Sequence, residues 1–296
     1  MKNSKNGIVL VTTIGLILLL SLLILKNIDI SQKYIQKSNL SSLNTQLNRA
    51  FVDILEIIKN NQDEIKDAFT FSSFVNTPYF IGSDDEAYSI TVDISSSSGT
   101  ININNILSSS NQTNKTIYDF LYMVLSEYRV KDPALFLAIV LDTLDKDKEA
   151  RVYGSEIFFE DSRFDIGSNI TKQSFNLLLE YYVKKSYDAN IYKIPWDEFV
   201  GFYGEKIDFN YIKEPFLNIL QREYNLPTLE ENEILDSYDK LNLSEDTKKE
   251  FEKIGIGFFV PTIFCEIVVF YQNNKKSLKF LYDTKTKKVG YVENIF

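Results

Sequence analysis

The sequence predicts an α+β protein in which one long N-terminal helix packs on an antiparallel sheet and a large all-helical domain is inserted between the strands. Three observations predict it. Apolar residues recur at helical spacing over residues 8–67, with no Pro and with Gly15 as the only Gly. Strand-like alternation occurs in two separate stretches, 87–104 and 258–292. Between them, from about residue 114 to residue 252, the pattern is helical.

The first helix begins with a short basic leader. Lys2 and Lys5 precede Gly7, and residues 8–25 follow as 18 residues without a charge. As a helix that run spans about 27 Å, close to the thickness of a hydrocarbon core of about 30 Å. A secretory signal has a shorter apolar region and then a small-x-small cleavage site. Here the run continues into Lys26-Asn27-Ile28-Asp29, which offers no such site, and the small residue Gly7 precedes the run. Cleavage at Gly7 would remove the leader and leave the anchor in place. Lys2 and Lys5 favour a cytoplasmic N-terminus, with the body across the membrane. The next most apolar stretch, 254–271, is broken by Pro261 and Glu266, so a single crossing is expected. Past the anchor, Leu40, Leu43, Leu47, Phe51, Ile54 and Ile58 recur at intervals of three and four. This stripe continues the helix and must bury against something. A break near Asn27 into two helices is the alternative.

Residues 87–94 and 100–104 alternate at period two around the turn-like 95–99, which predicts a hairpin. Helices are expected over 117–129, 133–144, 172–185, 196–203, 214–224 and 235–254. Asp132 before Pro133, and Thr171 before Lys172, suit N-caps. Strands are expected over 258–271, 277–282 and 289–292. No internal repeat with a clear period is visible.

Composition narrows the function. The chain has 296 residues, 44% of them hydrophobic, and a formal net charge of −9. An acidic body repels phosphate backbones, which argues against a nucleic-acid partner. Cys265 is the single cysteine, so no internal disulfide can form, and its apolar setting suits a buried side chain. Histidine is absent, which removes the commonest general base and every His-dependent metal site. No phosphate-cradling glycine loop occurs, and no carboxylate pair is singled out by its surroundings for glycoside cleavage. The composition therefore disfavours an enzyme.

Several segments, taken in order, resemble the general secretion pathway protein K family, minor pseudopilins of type II secretion systems. Lys5-Asn6-Gly7 followed by the apolar run from Ile8 is similar to the family's prepilin-type leader. Residues 93–107, above all Gly99-Thr-Ile-Asn-Ile-Asn-Asn-Ile-Leu107, resemble its Asn-rich strand end. The acidic stretch 142–149 with Gly154-Ser-Glu156 resembles its aspartate-rich loop, and Ile207-Asp-Phe-Asn210 its second Asn-containing segment. The resemblance implies a pilin-like helix on a sheet with a SAM-like helical insertion. The implied division is leader 1–7, membrane helix 8–25, amphipathic helix and first strands 26–107, helical domain 108–254, and closing strands 255–296. It further implies cleavage by a prepilin peptidase between Gly7 and Ile8, residence in the bacterial inner membrane with the body in the periplasm, and a tip position on a pseudopilus. The implied partners are other minor pseudopilins and the major pseudopilin; the stripe from Leu40 to Ile58, with Leu40, Leu43, Leu47 and Phe51, is expected to divide its apolar surface between the chain's own sheet and helices of these partners. Thr12 is the fifth residue after the cut, where pilin-like subunits usually carry a Glu that neutralises a neighbour's amino terminus. A neutral Thr12 suits a subunit that enters first, or it is an ordinary anchor residue bonding to its own helix; both readings stay open. A minor pilin of a type IV pilus and a single-span sensor ectodomain are the alternatives for the whole chain.

One cluster points to a metal. Asp145, Asp147, Glu149 and Glu156 occupy positions 1, 3, 5 and 12 of a twelve-residue loop, a spacing of hard oxygens that suits Ca²⁺. Ala150 stands where an EF-hand needs Gly, so a true EF-hand is not expected. With the family resemblance, the expectation is that some of Asp142, Asp145, Asp147, Glu149 and Glu156 bind Ca²⁺. The opposing reading is a solvated acidic surface with Lys146 and Lys148 interleaved.

Overall fold

Helix α1 (Ser4–Asn61) is continuous for 58 residues, about 87 Å, so the chain does not break near Asn27. The computed structural model describes residues 4–76, 79–82, 88–161, 163–165, 167–204, 206–229, 233–271 and 274–295. Side chains of 4–15, 17, 79–82, 291 and 294–295 lie outside that description, and with them those of Gly7, Ile8 and Thr12. A turn leads into α2 (Ala68–Val75), which a reciprocal Asp67–Thr70 capping box starts. Strands β1 (Tyr79–Gly82) and β2 (Tyr88–Ser96) follow.

The chain then leaves the body for a helical lobe. In order this holds β3 (Ile101–Asn102), α3 (Lys115–Glu127), α4 (Pro133–Leu144), α5 (Lys172–Ser186), α6 (Trp196–Phe199), β4 (Val200–Gly201), β5 (Ile207–Asp208), α7 (Glu214–Tyr224), α8 (Glu245–Ile254) and β6 (Ile256–Gly257). It returns as β7 (Thr262–Tyr271), β8 (Asn274–Asp283) and β9 (Lys288–Ile295). The body sheet is antiparallel, in the order β1-β2-β7-β8-β9. β2 therefore pairs with β7, Val92 opposite Ile267 and Ile94 opposite Cys265, across the whole insertion.

This pairing corrects the expected hairpin over 87–104. After β2 the chain passes Gly99, where a Cβ would fall 2.1 Å from the Tyr211 carbonyl oxygen. Only Gly lets the two backbones approach so closely. Beyond it, Ile101 and Asn102 pair in parallel with Val200 and Gly201, so the lobe starts near Ile101 and not at 108. Two helices also end differently from expectation. The helix from Trp196 stops at Phe199 because Val200 joins β4. The stretch 235–254 divides into a 3₁₀ turn (Tyr238–Leu241) and α8, separated by Asn242 at φ 49° and the N-cap Ser244. By contrast α4 and α7 match their expected bounds, and Asp132 and Thr171 cap α4 and α5.

The lobe contains an internal duplication that no sequence period reveals. Asn104 donates from Nδ2 to the Ile170 and Phe202 carbonyls at 3.0 and 3.3 Å and accepts from Ile170 N–H at 2.7 Å. Asn210 does the same with the Leu235 and Phe258 carbonyls, both at 3.0 Å, and with Leu235 N–H at 2.7 Å. Each Asn follows a short parallel bridge, β3 with β4 and β5 with β6. Asn102 and Asp208 precede them as 3₁₀ N-caps. Two side-chain amides thus each pin three backbone groups that no ladder satisfies.

Two separate cores hold the molecule. In the body, Leu43, Leu47, Ala50, Ile54 and Ile58 from α1 meet Ile263, Cys265, Ile267 and Val269 from β7 and Leu278, Phe280 and Tyr282 from β8. β7 alternates buried and half-buried residues along its length, as a sheet with one covered face requires. Burial pushes the Cys265 thiol well above its ordinary pKa, so it is a packing residue. The lobe core is larger and aromatic, with Phe136 packing edge-on to Phe175 and Tyr182.

Candidate functional site

Two features carry chemistry or contact: α1 and the acidic loop after α4. Helix α1 is docked on the sheet only over its second half. Phe51 meets Phe280 edge-on at 5.0 Å. Polar ties run along the same contact: Ser42 Oγ to Tyr88 Oη at 2.7 Å, Lys276 Nζ donating to Asn44 Oδ1 at 2.6 Å, and Tyr282 Oη to Gln62 Oε1 at 2.6 Å. Leu43 and Leu47 are 0% and 3% exposed, so they are committed to the chain's own core. Leu40 is 45% exposed and Phe51 half-buried. Apolar side chains continue uncovered towards the N-terminus, through Ile35, Tyr34, Ile30 and Ile28 to Leu16. Among the described residues no helix is long and apolar enough to cross a membrane; the expected span 8–25 lies partly among side chains outside that description.

The acidic loop is built around the last turn of α4. Asp142 and Asp145 project from the negative end of the helix dipole, and both side chains are fully buried. Arg151 closes over them, its Nη1 donating to Asp142 Oδ1 and to Asp145 Oδ2. Its backbone N–H donates to Asp142 Oδ2 at 3.0 Å, and the Ser155 hydroxyl bonds the same oxygen. Gly154 turns the chain at φ 84°, and its carbonyl accepts from Tyr181 Oη at 3.0 Å. Glu156, buried beside this group, leaves Oε2 without a hydrogen bond, as Asp145 leaves Oδ1.

The electrostatics follow from this packing. Burial and the neighbouring charges of Asp142, Asp145 and Asp147 raise the Glu156 carboxyl to about 7. Burial also raises Asp145, against the opposing pull of Arg151. Burial opposes the charge on Arg151, but its bonds to Asp142 and Asp145 outweigh that and hold its pKa above the ordinary value. Of the residues expected to bind Ca²⁺, the structure brings together Asp142, Asp145 and Glu156. Asp147 is exposed and accepts from Glu149 N–H at 2.9 Å, and Glu149 is exposed too. Among the described residues no three His, Cys, Asp or Glu side chains converge to hold a metal ion. With the guanidinium between Asp142 and Asp145, the residues as placed do not fit one. Arg151 is the residue that sequence reasoning passed over; its signal is a single Arg that follows Asp142, Asp145, Asp147 and Glu149 in one loop.

No protein-family model matches the sequence, and no curated protein matches it. Among solved structures, the chain is similar to a chain in the crystal structure of the GspK–GspI–GspJ complex from the type 2 secretion system of enterotoxigenic Escherichia coli. The two share 14% identity with a TM-score of 0.62, over 90% of this chain and 98% of that one. At that identity the likeness is one of fold. A long helix on an antiparallel sheet, opened between two adjacent strands to admit a helical lobe, is a GspK-like pilin fold.

Proposed function

We propose that this chain is a minor pseudopilin of a type II secretion system and sits with other minor pseudopilins at the tip of a short periplasmic pseudopilus. The observation that carries the reading is the GspK-like fold along nearly the whole chain, joined to a helix that, among the described side chains, leaves apolar residues from Leu16 to Leu40 exposed. A rod docked at one end and bare at the other suits a subunit that packs against neighbouring rods. The lobe, about half of the chain, enlarges one end of the subunit beyond what stacking along a filament admits, which suits a cap. In this reading a prepilin peptidase cuts between Gly7 and Ile8, and residues 8–25 hold the subunit in the inner membrane until assembly. The role is structural and not catalytic.

Two measurements test it. N-terminal sequencing of the membrane-extracted protein should begin at Ile8; a start at Met1, or beyond Leu25, counts against a pseudopilin. Co-expression with minor pseudopilins of the same organism should give a co-purifying complex. A tight complex lost in the doubly substituted, folded Ile35→Lys and Leu40→Lys protein supports docking through the bare part of α1. An undiminished complex places the contact elsewhere.

A further inference from the structure

We propose that Arg151 is a built-in cation that takes the place of a divalent ion in the acidic loop, so that the loop folds without metal and admits Ca²⁺ only when the guanidinium is removed. The need for a cation is structural. Asp142 and Asp145 are fully buried at the C-terminal end of α4, where the helix dipole disfavours negative charge. Two adjacent buried carboxylates without a counter-charge are strongly destabilising. One residue meets this need: Arg151 reaches both through Nη1 and ties its own backbone N–H to Asp142. One guanidinium nitrogen, Nη1, carries two N–H groups and donates to both carboxylates, and the delocalised charge is weakly hydrated, which suits a partly buried ion pair.

Asp145 Oδ1 and Glu156 Oε2 are buried without hydrogen bonds, and the Ser155 hydroxyl lies on Asp142. With the bridged oxygens they are hard donors of the type Ca²⁺ takes, although with Arg151 in place no three carboxylates among the described residues converge on one point. Arg151 lies between two members of that set, Asp142 and Asp145, and its side chain is 30% exposed, so it faces solvent on its outer side. A divalent ion would have to displace two charge-assisted hydrogen bonds to enter. This property belongs to the loop, whatever assembly the chain joins.

The test uses the full chain in detergent, melted in EGTA or in excess CaCl₂ and titrated with CaCl₂ in a calorimeter. The wild-type melting temperature should be the same in both solutions. Arg151→Gln should melt lower in EGTA and recover in CaCl₂, and should bind Ca²⁺ at least about tenfold more tightly than wild type, the factor expected from removing charge-assisted bonds. Arg151→Lys should melt between the two. Ca²⁺ binding by wild type as tight as by Arg151→Gln overturns the proposal, as does an Arg151→Gln protein that melts with wild type in EGTA. Should Arg151→Gln fail to fold, the other two proteins decide. A CaCl₂-dependent rise in the wild-type melting temperature overturns the proposal; a flat wild-type response beside a rise in Arg151→Lys supports it.

Discussion

Glu156 shows how one buried carboxyl gives the fold a pH dependence. Its pKa in the folded protein is about 7 against an ordinary 4.5, so between those values the native state holds a proton that the unfolded chain has released. Stability therefore falls as pH rises from 4.5 to 7, by up to about 3 kcal/mol. Glu156→Gln keeps the neutral shape and should flatten this slope. Urea midpoints at the two ends of the window measure it, and equal slopes in both proteins would refute the assignment. The two frame asparagines are residue-scale devices of a different kind. Asn104→Ala and Asn210→Ala each strip three backbone groups of their partner, at a cost of about 1–3 kcal/mol for a buried group left unpaired. Each should lower the urea midpoint by a similar amount, since the two frames are built alike. A loss confined to one of them would show that the duplication is geometric only.

Among the elements, α1 divides its residues between two duties along its length. Leu43, Ile54 and Ile58 are each 0% exposed beneath the sheet, and Leu43→Ala or Ile54→Ala should cost about 2–5 kcal/mol through lost burial and a cavity. Val52 is 59% exposed on the same helix, and Val52→Ala should change the midpoint little. A comparable loss at both positions would mean that α1 is not seated as described. These faces were legible in the sequence because spacings of three and four between Leu40 and Ile58 are a local signal. The long β7–β8–β9 meander was legible from the alternation along β7 and from the polar turns that separate three apolar stretches. The hairpin over 87–104 was misjudged because its second half pairs with Val200, about a hundred residues away, and a two-residue bridge leaves no pattern to read. In the acidic loop the carboxylates were legible as a charged run. What sequence could not show is that Arg151 folds back on Asp142 and Asp145, because spacing records neither burial nor the direction of a side chain.

At the scale of the molecule, the charge and the cores divide together. Residues 101–257 carry 28 Asp and Glu against 18 Lys and Arg, a net −10, while the remainder carries 13 against 14, a net +1. The acidity that argued against nucleic acid thus resides in the lobe, which also has its own apolar core. Its two ends leave the sheet side by side, since Ser97 N–H donates to the Thr262 carbonyl at 3.1 Å and Asp208 N–H to the Ser98 carbonyl at 2.7 Å. A unit with adjacent ends, a separate core and a self-repelling surface is built to fold alone and stay soluble. Residues 99–259 expressed by themselves should therefore melt cooperatively with a native near-ultraviolet spectrum. The aromatic seam that joins lobe to body is small: Tyr211 packs edge-on to Phe71 at 5.6 Å, and Phe259 lies against the same ring at 6.3 Å. Removing the lobe and joining β2 to β7 by a short Gly-containing turn should likewise leave the body sheet intact, because Ser96 already faces Ile263 in the ladder. If the isolated lobe binds hydrophobic dye and melts without a transition, the two cores depend on each other and the lobe is not an inserted domain.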